Sequence, residues 1–268
     1  MSISSYLVEP RLKAVDLTGP KRLELHRIIL EEKKIIKEVF EEIYDSCIEF
    51  ESKYFQKAVG SKIEIGAGTS FFKKKYPDII ATDIESAPFL DLVVDAQKMP
   101  FPSESVKAVF CINAFHHFPD PRAFFRELVR VLPEGGGCIL LEPGYGIFST
   151  FLYKRLFSIE GYDKNSVSWS YLTDFDGGEL PNQALSYVVF FRDQEKFLEE
   201  FPELEIVEKK IARSYLRYFL SGGLNFRQLI PNWLLPLVQI IEAMLTPVET
   251  SMGLHHYVVL RKKKLSIK

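Results

Sequence analysis

The chain has 268 residues, 47% of them hydrophobic and 26% charged, which supplies a sizeable core and excludes global disorder. Lysine and arginine total 34 against 36 acidic residues, and the resulting net charge of -2 excludes a global positive field for holding nucleic acid. The three cysteines, Cys47, Cys111 and Cys138, are odd in number and far apart, which argues against a disulfide scaffold or a cysteine-rich zinc site and fits a reducing compartment.

No stretch reaches the roughly 18 apolar residues that a membrane span needs. The first ten residues lack the basic start and apolar run of a signal peptide. A cytoplasmic location is therefore expected. Residues 21–55 read as helix, one long or two, because Ile28, Ile29, Ile35, Ile36, Val39, Phe40, Ile43 and Tyr44 recur at helical spacing. Residues 63–65 then form a short strand that runs into Gly66-Ala67-Gly68-Thr69-Ser70. A short helix follows over 71–75, stopped by Pro77. Residues 79–83, 92–95 and the almost wholly apolar 106–112 read as strands two to four. The link between strands two and three is short enough for its helix to be reduced or missing. Residues 120–132 form a helix with Phe124, Phe125, Leu128, Val129 and Leu132 on one side, and Gly135-Gly136-Gly137 turns it into a fifth strand over 138–142.

This alternation predicts an α/β fold with a doubly wound, Rossmann-like, mostly parallel sheet. Seven strands are expected, the last antiparallel. The core spans 59–212 after an N-terminal helical segment at 1–58, and 143–192 is an irregular, aromatic segment on the acceptor side. A helix at 193–201 and a strand at 204–211 complete it. Residues 213–250 form a strongly apolar helical insertion, and 251–268 hold a closing strand and a basic tail.

Gly66 and Gly68 directly after a strand allow a tight turn and let a ligand approach the backbone without meeting a Cβ. The third position is Ser70, so the full dinucleotide fingerprint is absent. Asp83 ends the next strand, where a carboxylate accepts hydrogen bonds from both ribose hydroxyls. Asp95 and Ala96 end the third strand, where a side chain can meet an adenine amino group and a backbone N–H a ring nitrogen. Singly, each is also what an ordinary turn or cap requires. Together they meet on the carboxyl edge of one sheet, where open α/β folds bind ligands.

Over about residues 60–142 the chain resembles the class I S-adenosylmethionine-dependent methyltransferases, in the broad group that methylates small molecules and glycan or lipid intermediates. Ile63-Glu64-Ile65-Gly66-Ala67-Gly68-Thr69 resembles the motif that wraps the methionine part of the cofactor, with Glu64 near its amino end. Asp83 matches the ribose-binding acid. Asp95-Ala96 with Met99-Pro100-Phe101 resembles the adenine-side motif. Asn113-Ala114-Phe115-His116-His117-Phe118 resembles the segment between cofactor and acceptor, and Glu127-Leu128-Val129-Arg130-Val131-Leu132-Pro133-Glu134-Gly135-Gly136 the helix and turn before the fifth strand. The resemblance implies S-adenosylmethionine as cofactor, S-adenosylhomocysteine as product, and Glu64, Gly66, Ala67, Gly68, Asp83, Ile84, Asp95, Ala96, Asn113 and His117 as cofactor-binding residues. The N-terminal helices are expected to pack across the sheet edge and cover the cofactor.

Methyl transfer from a sulfonium needs alignment of the acceptor and, for an alcohol, removal of a proton. An imidazole is a natural base. His116, His117 and Glu142 are the catalytic candidates, each with a structural role as its alternative. His255 and His256 are adjacent on a strand and face opposite ways. No metal is assigned. Tyr145, Tyr162, Trp169, Tyr171, Asp174 and Asp176 are candidates to border the acceptor. The insertion reads as a lid, a dimer interface or a contact with a membrane or lipid-linked substrate, with Arg213, Arg217 and Arg227 available to an anionic surface. The expected partner is a small-molecule or lipid- or glycan-linked acceptor, with peripheral membrane contact and a monomer or homodimer as open options. A nicotinamide-dependent oxidoreductase, an RNA methyltransferase and a non-catalytic S-adenosylmethionine-binding protein are the alternatives.

Overall fold

The computed structural model describes residues 7–13, 15, 19–156, 160–171 and 181–264. The N-terminal helical pattern resolves into two helices, α1 (Pro20–Glu32) and α2 (Lys34–Tyr54). The break falls at Lys33, whose backbone is extended. Its buried side chain leaves the helix line to donate to the carbonyls of Gly223 and Phe226. A polar contact with a distant segment therefore decides between one helix and two.

The sheet has seven strands: β1 (Ser61–Ile65), β2 (Ile79–Asp83), β3 (Leu92–Val93), β4 (Val106–Ile112), β5 (Gly137–Pro143), β6 (Leu204–Ile211) and β7 (His255–Lys262). Their spatial order is β3-β2-β1-β4-β5-β7-β6. Strands β1 to β5 pair in parallel, and β7 runs antiparallel to both β5 and β6. The expected fold class is the observed one. The expected third strand is shortened to two paired residues on the sheet edge. Asp91 replaces a longer ladder there, its carboxylate accepting from Ala81 N at 2.8 Å and its own N–H donating to Ala81 O. The eight residues between β2 and β3 are too few for a crossover helix.

Both faces of the sheet are covered, so the central strands are apolar throughout. Ala108, Phe110 and Ile112 of β4 join Ile36, Val39, Ile43, Cys47 and Phe50 of α2 on one face. Val109 and Cys111 point the other way, into Phe124, Phe125 and Leu128 of a helix over Pro121–Val131. Helix α2 thus packs on one face of the sheet, with Phe71 and Phe72 of the short helix after β1 beside it, rather than lying across the sheet edge. Its strong apolar stripe shows that it packs, but not on which surface. Between α2 and that later helix lies a five-residue helix, α3 (Phe71–Lys75), so the one at Pro121–Val131 is α4.

Further along come α5 (Ile147–Arg155), α6 (Gln194–Glu200), α7 (Tyr215–Ser221) and α8 (Leu235–Met244). The insertion is helical as expected. Arg217 on α7 is not available to an anionic surface: it is buried, its Nε on Glu242 of α8 and its other nitrogens on Glu42 of α2. The outer face of α8 carries exposed Leu237, Ile240 and Met244, next to Trp233. Among the described residues no helix is long and apolar enough to cross a membrane.

Candidate active site at the carboxyl edge of the sheet

From β1 the chain steps outward through β2 to β3, and from β4 it steps the other way, so a crevice opens between the carboxyl ends of β1 and β4. The glycine turn sits in it. Gly66 has φ +68, and a Cβ there would come 2.5 Å from the Ala114 Cβ, so only glycine lets the turn pack against the end of β4. Gly68 also has a positive φ, +50, but a Cβ there would meet nothing closer than the Gly66 carbonyl oxygen at 3.9 Å. Ser70 keeps the left-handed backbone, φ 55, although it has a side chain. The turn therefore has the shape that a third glycine favours, without that glycine.

The acidic residues converge on this turn. Asp83 Oδ2 accepts from Gly68 N at 2.9 Å and Oδ1 from Glu85 N at 3.1 Å, which leaves each oxygen a second lone pair. Glu64 is 3% exposed, and its Oε2 has no partner. Burial, with Asp83 nearby, pushes its carboxyl well above the usual range. Asn113 has φ 52 and a buried Oδ1 that also lacks a partner. Asp95 is exposed, its Oδ1 holding Gln97 N, and Ala96 beside it is buried. Ile84, 68% exposed, stands just beyond Asp83. Glu127 accepts from Met99 N, and Arg130 donates to the carbonyls of Met99 and Phe101, so α4 fixes the segment after Ala96.

Helix α1 reaches over the turn. Arg27 donates to Thr69 O, and its guanidinium lies 4.8 Å from the Phe89 ring centre. Arg27 was not visible as a site residue in the sequence, where it is one cation among many on an amphipathic helix. Cover of the turn thus comes from α1, while α2 builds the core.

The second half of the site begins one residue later. Glu142, at the end of β5, is fully buried, and its carboxylate accepts from Ala114 N, Phe115 N and His116 Nδ1, the last at 2.7 Å. It thereby holds the 3-10 turn Phe115–His117. His116 Nε2 faces Glu160 Oε2 at 3.2 Å, and His117 Nε2 stands 3.8 Å from Glu160 Oε1. Burial lowers the His116 pKa, but the carboxylates of Glu142 and Glu160 outweigh it and raise it to about 10. His117 is pushed down to about 4, first by loss of surrounding water and then by His116. Burial opposes ionisation of Glu160, but His116, His117 and Arg22 hold its carboxyl below the usual range. Glu160 lies in an irregular stretch with no periodicity, and nothing in the sequence singled it out.

The remaining candidates disperse. Tyr171 reaches the site, its hydroxyl donating to His117 O. Trp169 is buried in the core on the α4 face, its indole N–H on Asp193. Tyr162 is bonded to Gly144 O, and Tyr145 packs on His256 and Phe191. His256 pairs with Ser186 Oγ, whereas His255 meets the Tyr218 ring. Asp174 and Asp176 lie outside the described residues.

Residues 63–140 match the family described as a methyltransferase domain. The strand order, the glycine turn and the acids beyond it agree with the resemblance to class I S-adenosylmethionine-dependent methyltransferases. The chain is 31% identical over 94 residues to the uncharacterized methyltransferase YcgJ of Bacillus subtilis, covering 34% of each chain. It is 34% identical over 64 residues to the chloroplastic 2-methyl-6-phytyl-1,4-hydroquinone methyltransferase of Arabidopsis thaliana, covering 24% of this chain and 18% of that one. The matches thus span about a third of the first relative and less than a fifth of the second. Among solved structures, geranyl diphosphate C-methyltransferase from Streptomyces coelicolor aligns over 86% of this chain and 83% of its own, with 10% identity and a TM-score of 0.49.

Proposed function

We propose that the protein transfers a methyl group from S-adenosylmethionine to a small-molecule acceptor held beneath the helical insertion. The observation that carries this reading is the pair of unpartnered buried oxygens, Glu64 Oε2 and Asn113 Oδ1, beside a glycine turn that leaves room for a ligand. A buried polar oxygen without a partner is costly, and the ammonium group of the cofactor would donate to both oxygens and draw the Glu64 carboxyl back to its ionised form. Asp83 would hold the ribose hydroxyls, Asp95 and Ala96 the adenine edge, and Ile84 an apolar face of the adenine. Bound there, the cofactor supplies a methyl group already activated by a sulfonium leaving group.

The protein's own residues then orient the acceptor and exclude water. His116 is a charged ring between two carboxylates and has no lone pair to take a proton. His117 is neutral at pH 7, reaches solvent, and is the ring with a lone pair for an acceptor. Glu142, closed off by its donors, positions the turn that carries both histidines. The aromatic neighbours Tyr171 and Tyr218 favour an acceptor with an apolar body and a polar edge. The outward apolar face of α8 supports a lipid-linked member of that class.

Calorimetric titration of cofactor-free protein with S-adenosylhomocysteine and, separately, NADH tests the reading. Micromolar binding of the first and none of the second is expected. Preference for NADH, or no binding of S-adenosylhomocysteine to folded protein, would overturn it.

A further inference from the structure

Among the described residues, His116, His117 and Glu160 bring one potential ligand atom each within 4.8 Å of one another. His116 Nδ1 is engaged by Glu142 Oε2, so Nε2 is the ring nitrogen left for a cation. It faces Glu160 Oε2 at 3.2 Å, and the proton between them is the one a divalent cation would displace. His117 Nε2 stands 3.8 Å from Glu160 Oε1, beyond hydrogen-bond distance, so that proton does not tie His117 to the pair.

We propose that His116, His117 and Glu160 bind one divalent transition-metal cation, of the Zn²⁺, Fe²⁺ or Co²⁺ kind. Two imidazole nitrogens and one carboxylate suit such a cation, whereas Mg²⁺ prefers oxygen ligands alone. The separations to Glu160, 3.2 and 3.8 Å, fall either side of the roughly 3.4 Å between ligands on one tetrahedral Zn²⁺ with bonds of about 2.1 Å, and no separation exceeds 4.8 Å.

Independent support comes from the scaffold. A histidine that ligates a metal usually donates its other N–H to a carboxylate, which fixes its tautomer and orientation. Glu142 does this for His116 and also pins the Ala114 and Phe115 amides. The Tyr171 hydroxyl holds the His117 carbonyl from the other side. The turn bearing both rings is thus clamped before any cation arrives. In that arrangement His117 acts as a ligand rather than as a proton acceptor.

Three protein ligands leave at least one coordination position open. An oxygen or nitrogen donor on the acceptor would complete the shell, and the cation would lower the pKa of an acceptor hydroxyl. This last step rests on the proposed methyl transfer. Cation binding itself does not. Glu160 carries no signal in the sequence, so the two histidines alone did not point to a metal.

The test is titration of EDTA-treated, dialysed protein with ZnCl₂ and with CoCl₂, and with MgCl₂ as control. One equivalent of Zn²⁺ is expected to bind, with visible d–d absorption from Co²⁺ and no comparable uptake of Mg²⁺. His117→Ala and Glu160→Gln are each expected to weaken Zn²⁺ binding at least tenfold, with melting curves confirming that both variants fold. Should either variant fail to fold, His117→Gln takes its place in the same titration. Absence of stoichiometric Zn²⁺ and Co²⁺ binding by folded wild-type protein, or binding unaffected by the substitutions, would overturn the proposal. Zinc binding without S-adenosylhomocysteine binding would sink the methyltransferase reading and leave the metal site standing.

Discussion

The carboxyl edge of the sheet and the helical insertion over 213–250 are built in opposite ways. At the edge, Glu64, Asp83, Asp95 and Asn113, the proposed cofactor residues, lie at or within two residues of a strand end, and backbone pairing of the strands sets their positions. Asp83 pairs with Val93, and Ile65 with both Thr82 and Cys111, so the glycine turn and its neighbours are set by the ladder. Among the described residues, the insertion has only one isolated backbone bridge, Phe226 with Val8. It is tied down by buried charge, with Arg217 clamped between Glu42 and Glu242, and it turns an apolar face outward. A rigid frame with a separately fastened cover is the arrangement expected when one part must bind a constant cofactor and the other a particular acceptor.

Substitutions that strike one region and spare the other sharpen this contrast. The largest effect belongs to the frame. Phe125 contacts Phe115, Phe190, Phe197 and Phe201, and Phe125→Ala is expected to cost about 3–5 kcal/mol in chemical denaturation. Loss below 1 kcal/mol would mean that this face is not the common core. Arg217→Met acts on the cover, leaving Glu242 buried without its cation. About 3 kcal/mol is expected, at the low end for a broken buried pair because Glu42 reaches solvent. Its S-adenosylhomocysteine affinity should change less than threefold; a larger loss would mean that frame and cover are not separable.

Asp83→Ala reverses that pattern. S-adenosylhomocysteine affinity should fall roughly 10- to 100-fold, the range for hydrogen bonds to a charged group. The melting temperature of the ligand-free protein should move by only a few degrees.

Acid tests the inner seam beside the site. Burial pushes His256 down to about 3, so the folded state keeps it neutral. Its unfolded value is near 6.5, and below that pH the unfolded chain binds the extra proton. The stability it contributes is therefore present above pH 6.5 and lost as pH falls towards 3, about 2 kcal/mol by pH 5. His255 shifts in the same direction. Denaturation of His256→Gln at pH 7.5 and pH 5 should show a smaller acid loss than wild type. An equal loss would place the titrating group elsewhere. The smallest effect is expected at Trp233, 76% exposed. Trp233→Ser should alter stability by less than about 0.5 kcal/mol, while reducing association with lipid vesicles if that face meets an apolar partner.

The same contrast explains what the sequence disclosed. Gly66, Asp83, Asp95 and Asn113 were legible because each sits at a strand end, where one-dimensional spacing maps directly onto one edge in space. Ser70 was read as a departure, yet the backbone there keeps the glycine-like conformation. Other features depend on contacts between distant segments. The break at Lys33 is set by carbonyls of Gly223 and Phe226. The face that α2 covers is decided by the sheet rather than by the helix. Glu160 meets His116 and His117 from more than 40 residues away, out of a stretch with no periodic pattern. Glu142 was singled out as a catalytic candidate from its place at the end of β5, but the donors that close it off come from the turn after β4.

The most direct test of the central claim is a crystal structure with S-adenosylhomocysteine. The account predicts ribose hydroxyls on Asp83, the adenine at Asp95 and Ala96, and the amino group at Glu64 Oε2 and Asn113 Oδ1. A ligand bound away from the glycine turn, or bound there with Glu64 and Asn113 still unpartnered, would contradict it.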